Sequence, residues 1–182
     1  MKELSLNILD IVQNSIRADA KLIEIRILES IKENFLKIEI VDDGTGISKE
    51  MLKNVTDPYV TSRTTRKVGM GLAFLKQHAE LTNGRIEIES TLDKGTKISA
   101  FFMLNHIDRQ PMGDIAGVMM ILIMGNPGIE FIYFYSTDQG DFQMDTREIK
   151  DVFEVNSLID TNLMRDIKSM MSENMKAISA IA

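Results

Sequence analysis

The stretch Asp42-Asp43-Gly44-Thr45-Gly46 comes one residue after a segment, Leu36 to Ile40, in which apolar and charged residues alternate. Strict alternation predicts a β-strand with one buried face. A similar segment, Ile23 to Ile27, precedes it across a polar turn, so the two predict a hairpin. The glycines that follow allow a sharp turn, and we expect this turn to hold the carboxylate of Asp42 at the end of the second strand.

Upstream of the hairpin, residues 4–20 predict a helix, because apolar residues recur there at three- and four-residue spacing. A second face of this helix is polar and contains Asp10, Asn14 and Arg17, with Asn7 one turn earlier. Such a polar stripe is either solvated or directed at a ligand.

Downstream, the pattern predicts a short helix, a loop rich in Thr, Ser and Arg, a longer helix and a second pair of strands. In chain order these are Ser48 to Lys53 with Ser48 as N-cap, residues 54–68, Gly69 to Thr82, Ile86 to Glu89, and Lys97 to Met103. Residues 1–107 are therefore predicted to form one domain, and residues 108–182 an extension packed on or beside it.

The sequence of the extension, residues 108–182, predicts a β-hairpin followed by two helices. The strands are Ile115 to Met124 and Ile129 to Tyr135, and the helices are Arg147 to Phe153 and Leu158 to Ile178, with Thr146 and Ser157 as N-caps. We expect the hairpin to join the sheet edge or to dock nearby. The last helix has an apolar stripe that either packs on the core or forms a partner-binding or homodimer surface; it comprises Met164, Ile167, Met171, Met175 and Ile178.

Composition narrows the functional classes. The net charge of -6 argues against a broad nucleic-acid footprint, which usually needs a basic face. The chain has no cysteine, so disulfides and thiolate metal sites are excluded. Its longest apolar run, Ile115 to Met124, is far shorter than the ~20 residues that span a bilayer. We therefore expect a cytoplasmic protein that does not enter the membrane.

Four short motifs follow one another in a fixed order: Asn14 on the first helix, Asp42-x-Gly44-x-Gly46 after a strand, Gly69-Met70-Gly71-Leu72 at the start of a helix, and Gly95-Thr96 at the start of a strand. None is specific alone. In this order on these elements, residues 4–103 resemble the ATPase superfamily that joins DNA gyrase B, the Hsp90 chaperones, histidine kinases and MutL.

The resemblance implies the Bergerat ATP-binding fold. This is an α/β fold, an α+β two-layer sandwich in which helices cover one face of a mixed sheet. The ligands it implies are ATP and Mg²⁺. The whole chain looks similar to small stand-alone bacterial ATP-binding proteins of this superfamily.

In this match Asp42 accepts a hydrogen bond from the adenine amino group, while Gly44 and Gly46 let the backbone approach the base. Guanine has a carbonyl at that position and would leave two acceptors facing each other. Thr96 would assist through its hydroxyl, directly or through water. Asn14 supplies an amide oxygen for Mg²⁺, which takes its other ligands from phosphate and water.

The phosphates are assigned to the glycine turn and to nearby cations. Gly69, Met70, Gly71 and Leu72 open a helix, so bare amides and the positive helix end would face the triphosphate. Lys67 stands where the family often has another glycine, and it adds a cation to a basic loop that also contains Arg63 and Arg66. This loop is either a lid that closes over nucleotide or a solvated surface loop.

Two residues of the first helix connect the match to particular branches of the family. Arg17 is positioned to reach phosphate, and the histidine-kinase branch often has a basic residue there, whereas the MutL branch usually has Asp. Asp10 stands where the MutL, gyrase and anti-sigma serine-kinase branches have a Glu that acts as general base. Asp can do the same chemistry with a shorter arm. The alternative is that Asp10 merely orders water near magnesium.

Three functions therefore remain. The first is a phosphotransferase or ATPase that acts on an unidentified protein partner. The second is a nucleotide-gated protein-binding module, similar to an anti-sigma factor, with little or no catalysis. The third, a nucleic-acid protein that uses the loop cations, is disfavoured by the acidic balance.

Overall fold

The computed structural model describes residues 3–52 and 71–179, which form a six-stranded sheet and six helices. The strands are β1 (Leu22–Ser30), β2 (Phe35–Asp42), β3 (Arg85–Thr91), β4 (Gly95–Met103), β5 (Glu130–Thr137) and β6 (Gly140–Asp145). The helices are α1 (Leu4–Arg17), α2 (Lys49–Leu52), α3 (Gly71–Leu81), α4 (Ile115–Gly125), α5 (Thr146–Val152) and α6 (Thr161–Ile178).

The sheet is mixed, with strand order β3-β4-β2-β1-β5-β6. β1 and β2 form the predicted hairpin and pair antiparallel, with Ile25 opposite Ile40. β4 pairs antiparallel with β2 and with β3. β5 runs parallel to β1, and β6 pairs antiparallel with β5. The predicted α/β class with a mixed sheet is therefore confirmed.

The core lies between the sheet and the layer that contains α1, α3 and α4. Alternate residues of β1 and β2 point into this layer, so the predicted period of two decides which side chains are buried. Those residues are Ile23, Ile25, Ile27, Leu36, Ile38 and Ile40. The opposite face of β2 carries charged side chains instead: Glu39 pairs with Lys37 and Lys97 there.

The prediction of a strand at Ile115 to Met124 is wrong, because this segment is helix α4. Asp114 caps the helix by accepting a hydrogen bond from the backbone N–H of Gly117 at 2.8 Å. Both α1 and α6 pack against this helix, and its side chains are apolar on nearly all sides. A run that is apolar throughout has no periodicity with which to distinguish a buried helix from a buried strand.

The extension joins the sheet edge as expected, but with different strands. The predicted strand Ile129 to Tyr135 is confirmed as β5, and the second strand of the actual hairpin, β6, lies after it rather than before it. Two predicted N-caps are also wrong. Asp145 caps α5 in place of Thr146, and Asp160 caps α6 in place of Ser157.

The methionine stripe of α6 packs on the core. Met164, Ile167 and Met171 are buried, and Met175 and Ile178 lie against the same cluster. The core interpretation is thus the one that the packing supports. In the described ranges, no helix combines the length and apolar character needed to cross a membrane.

Candidate functional site

Asp42 is the last residue of β2, and its side chain is buried under the C-terminal part of α1. Its Oδ2 accepts a hydrogen bond of 2.6 Å from the hydroxyl of Ser15. Its Oδ1 accepts one of 3.0 Å from the backbone N–H of Gly44. Among the described residues, each carboxylate oxygen therefore has one protein donor and keeps lone-pair capacity for a ligand.

The two glycines after Asp42 are required by close contacts. A Cβ on Gly44 would lie 2.7 Å from the carbonyl oxygen of Ala18, at the end of α1. Gly46 has φ of +67°, and a Cβ there would lie 2.2 Å from the carbonyl oxygen of Thr91. The turn thus fits between α1 and the end of β3 only without side chains at these two positions.

Thr96 lies directly beside Asp42, because the two residues are register partners on β4 and β2. Their side chains share the helix-covered face of the sheet. The hydroxyl of Ser90 donates to the carbonyl oxygen of Gly95, and it lies 2.9 Å from the hydroxyl of Thr96. Since the single hydrogen of Ser90 is already used, Thr96 is the donor of that pair and keeps its lone pairs as acceptors.

Asn14 and Arg17 lie on α1 near the same end of the sheet, since Ser15 next to Asn14 is bonded to Asp42. Oδ1 of Asn14 accepts a hydrogen bond of 3.2 Å from Nη1 of Arg17. Nδ2 of Asn14 is buried and finds no partner within the described residues. The amide is thus held with its oxygen toward the exposed guanidinium.

This donor set fits a magnesium ion that arrives with phosphate. Mg²⁺ prefers oxygen and is often held by one or two protein ligands plus phosphate and water, so a single amide oxygen can suffice. Within residues 3–52 and 71–179, no group of three or more His, Asp or Glu side chains is arranged to hold a metal by itself. Asn14 would therefore hold the ion only together with the ligand.

Asp10 is exposed on α1, one turn before Asn14, and it lies against the start of α3. A Cβ on Gly71 would come 2.9 Å from Cβ of Asp10 and 3.4 Å from its Oδ2. Leu72, the next residue of α3, is buried in the core. The helix that opens at the glycine motif thus begins beside the candidate base.

Several predicted site residues lie outside the described residues: Arg63, Lys67, Gly69 and Met70, together with Thr61 and Arg66 of the basic loop. Their roles stay predictions. The structure brings the other predicted site residues together at one end of the sheet, where α1, β2, β4 and α3 meet.

Three residues of this region were missed at the sequence level. Ser15, Asp43 and Ser90 each make hydrogen bonds that fix the site. Ser15 could have been identified, because it is a polar residue on the apolar face of the predicted helix. Asp43 and Ser90 have no such signal, since their partners depend on how the strands pair.

The polar stripe of α1 does not serve one site throughout. Asn7 is buried, and its Nδ2 donates to Oε1 of Gln110 at 3.0 Å in the segment that leads to α4. Gln110 also contacts Nε2 of His78, and burial lowers the pKa of that histidine. Asn7 therefore belongs to a polar contact at the N-terminal end of α1, two turns from Asn14.

Comparison with known proteins identifies the family to which the sequence is similar. The model of the family described as "Histidine kinase-, DNA gyrase B-, and HSP90-like ATPase" matches residues 2–106, more than half of the chain.

Curated relatives with similar sequences include the "Non-motile and phage-resistance protein" of Caulobacter vibrioides, 28% identical over 60% of this chain and 14% of that protein. The "Sensor histidine kinase YvrG" of Bacillus subtilis is 27% identical over 51% of this chain and 17% of that protein. The "Sensor protein KdpD" of Clostridium acetobutylicum is 38% identical over 46% of this chain and 9% of that protein. The chain spans less than a fifth of the length of these relatives.

Two solved structures share the fold. The N-terminal domain of a DNA repair protein superposes with a TM-score of 0.53 at 17% identity, covering 80% of this chain and 52% of that one. The Aquifex aeolicus MutL ATPase domain complexed with ADP superposes with a TM-score of 0.50 at 14% identity, covering 85% of this chain and 70% of that one.

Proposed function

Because the chain belongs to the family of histidine kinase-, DNA gyrase B- and HSP90-like ATPases, we propose that it binds ATP with magnesium at the end of the sheet where α1, β2, β4 and α3 meet. The observation that carries this proposal is the hydrogen bond from Ser15 to Asp42, which holds α1 against the turn of residues 42–46, here named the purine turn. The ADP in the MutL ATPase domain supports the same class of ligand.

Asp42 recognises the purine base by hydrogen bonding. Its two oxygens are fixed by Ser15 and Gly44 and accept the adenine amino group through their remaining lone pairs. Thr96 adds an acceptor beside it, directly or through a water molecule. Guanine would bring a carbonyl to this pair of acceptors and leave buried polar groups unpaired, so adenine is selected.

Two residues of α1 bind the metal and the phosphates in this proposal. Asn14 would hold the metal through its amide oxygen, and the exposed guanidinium of Arg17, which now donates to that oxygen, would bind phosphate. A bound magnesium ion would neutralise phosphate charge and orient the terminal phosphate. The glycine turn, with Gly69, Met70, Gly71 and Leu72, supplies backbone amides, and Arg63 and Lys67 supply charge from the loop before it.

Asp10 acts as the general base in the proposed reaction, a transfer of the terminal phosphoryl group of ATP to water or to a hydroxyl of a partner protein, in which the new P–O bond forms as the bond to ADP breaks and ADP leaves. Its exposed carboxylate lies one turn before Asn14 and beside Gly71. It would accept the proton of the attacking hydroxyl while Asn14 and the glycine turn hold the phosphate in place. The name of one relative, a sensor histidine kinase, supports a role in signalling. The partner and a cytoplasmic location are part of the same proposal.

Calorimetry with ATP and GTP, each with and without Mg²⁺, tests the binding proposal. We expect ATP to bind in a magnesium-dependent manner and GTP to bind at least about tenfold more weakly, because each unpaired polar group costs about 1–3 kcal/mol. Equal affinity for the two nucleotides would contradict the role of Asp42.

An Asp42→Asn variant sharpens this test. An asparagine can still accept from Gly44 and can donate to Ser15, but its second amide hydrogen then faces the purine. It would repel the adenine amino group and donate to the guanine carbonyl. We expect the preference for ATP over GTP to shrink by about tenfold or more.

A further inference from the structure

Asp43 belongs to the purine turn, and its carboxylate contacts the segment between α1 and β1, residues 18–22, which we name the α1–β1 turn. Its Oδ1 accepts two backbone hydrogen bonds, from Lys21 at 2.7 Å and from Leu22 at 2.9 Å. The backbone N–H of Asp43 in turn donates to the carbonyl oxygen of Leu22. One side chain thus joins the purine turn to the beginning of β1.

The rest of the purine turn rests on the same segment. The N–H of Thr45 donates to the carbonyl oxygen of Ala18 at 2.8 Å, and Gly44 lies too close to that oxygen to carry a side chain. The N–H of Ala18 donates to the carbonyl oxygen of Asn14 at 3.0 Å. A shift of the α1–β1 turn would therefore move the backbone that carries Asn14.

The extension holds this turn from the other side. The N–H of Glu130, at the beginning of β5, donates to the carbonyl oxygen of Lys21 at 2.8 Å. Lys21 is thus bonded through its N–H to Asp43 and through its C=O to β5. The α1–β1 turn is therefore bonded to the purine turn on one side and to the extension on the other.

We propose that Asp43 is a positioning residue for nucleotide binding, which fixes the distance between the purine-reading Asp42 and the metal-binding Asn14 by clamping the α1–β1 turn. This rests on the proposed function, namely that the chain binds ATP. The acceptor geometry of Oδ1 carries the effect, and the charge of the carboxylate is secondary.

Asp138 offers a matched control. Its Oδ2 also accepts two backbone hydrogen bonds, from Ile31 at 2.8 Å and Lys32 at 3.1 Å, but at the opposite end of β1. An Asp138→Ala variant therefore removes a backbone clamp of the same kind far from the nucleotide site, together with the hydrogen bond that Oδ1 accepts from the hydroxyl of Ser30 at 2.9 Å. It reports what such a loss does to stability alone.

The experiment measures Mg-ATP affinity by calorimetry and Tm by circular dichroism for wild type, Asp43→Ala, Asp43→Asn and Asp138→Ala. We expect Asp43→Ala to weaken ATP binding roughly tenfold, as loss of two hydrogen bonds to a carboxylate implies. Asp43→Asn, whose amide oxygen accepts from the same two N–H groups, should stay within about threefold of wild type. Asp138→Ala should lower Tm and leave ATP affinity unchanged.

The outcomes separate the two proposals. If wild type binds no ATP, the proposed function fails. If wild type binds and Asp43→Ala matches Asp138→Ala in affinity, or if Asp43→Asn loses as much as Asp43→Ala, the positioning role is overturned. Should Asp43→Ala not fold, Asp43→Glu replaces it: this variant keeps the charge and displaces the oxygens, so we expect weaker binding, and wild-type affinity would overturn the role.

Discussion

The hydroxyl of Ser15 and Oδ2 of Asp42 are 2.6 Å apart, and this buried hydrogen bond joins helix α1 to the end of strand β2. Oδ1 of the same carboxylate is held by the backbone of Gly44. The orientation of Asp42 is therefore set by the helix as much as by the glycine turn. Since Asn14 precedes Ser15 on the helix, the same bond relates the acid proposed to bind the purine to the candidate metal ligand.

We predict that a Ser15→Ala variant binds Mg-ATP about five- to tenfold more weakly than wild type. The loss of the hydroxyl leaves Oδ2 of Asp42 without the donor from α1 and removes the side-chain hydrogen bond between α1 and β2, and one hydrogen bond to a charged group contributes about 1.5–3 kcal/mol. Calorimetry measures the affinity, and urea unfolding measures the accompanying loss of stability.

A Ser99→Ala variant is the control for this prediction. Ser99 is also buried, and its hydroxyl donates to the carboxylate of Glu39 at 3.1 Å, but on the opposite face of the sheet. It should lose stability to a similar extent and keep its ATP affinity. If both variants lost affinity equally, Ser15 would act only through general stability.

We predict that Asp10→Asn keeps ATP affinity within about twofold and lowers the rate of phosphoryl transfer or hydrolysis about 100-fold, the typical contribution of a general base. The substitution preserves the size of the side chain beside Gly71 and removes its ability to accept a proton. A steady-state ATPase assay, with and without candidate partners, measures the rate. Unchanged turnover would assign Asp10 to water ordering, and turnover in neither protein would favour a nucleotide-gated binding module.

The site motifs could be recognised in the sequence because their order resembles that of the superfamily, and the elements that carry them follow from local patterns. A strand that ends in Asp42 and two glycines predicts its own turn, and the spacing of Asp10 and Asn14 is a property of any helix. Asp43 could not be assigned, because its partners at Lys21 and Leu22 are 22 and 21 residues away, respectively, and depend on how β1 follows α1.

The extension shows the corresponding limit for the fold. β5 was predicted as one strand of a hairpin, and its pairing with β1 was not, since parallel pairing of distant segments leaves no local trace. α4 was mistaken for a strand because its apolar run has no polar face. Its capping residue Asp114, which accepts from Gly117, was the one local indication of a helix.

Glu29 makes stability depend on pH. Burial raises the pKa of its carboxyl group, and this outweighs the hydrogen bond from Tyr135 and the charge of Arg109. The folded state therefore holds the proton more tightly than the unfolded state, so stability is lost as pH rises from the ordinary value of 4.5 through the raised pKa. We predict that Glu29→Gln is more stable than wild type in urea at pH 7 and that the difference shrinks below pH 4.5.

Glu39 provides the control of opposite sign. Burial raises the pKa of its carboxyl group, but hydrogen bonds from Lys37 and Ser99 and the charges of Lys37 and Lys97 outweigh burial, so the pKa is lowered. Its stabilising contribution is present above the unfolded pKa and is lost as pH falls through the folded pKa. Glu39→Gln should destabilise at pH 7, with a smaller effect in acid. The same sign for both variants would contradict this account.

The division at residue 107 stays a prediction, and we expect that residues 1–107 do not fold alone. Without the extension, β1 loses β5 and becomes an edge strand with unpaired backbone groups. The N–H groups of Leu4 and Ser5, at the start of α1, lose the carbonyl oxygens of Pro111 and Met112. α4, whose Met119 and Leu122 are fully buried, no longer covers the core. A fragment ending at residue 107 should therefore give no cooperative urea transition and should aggregate in size-exclusion chromatography, whereas a monomeric fragment with a sharp transition would show that the extension is dispensable for the fold.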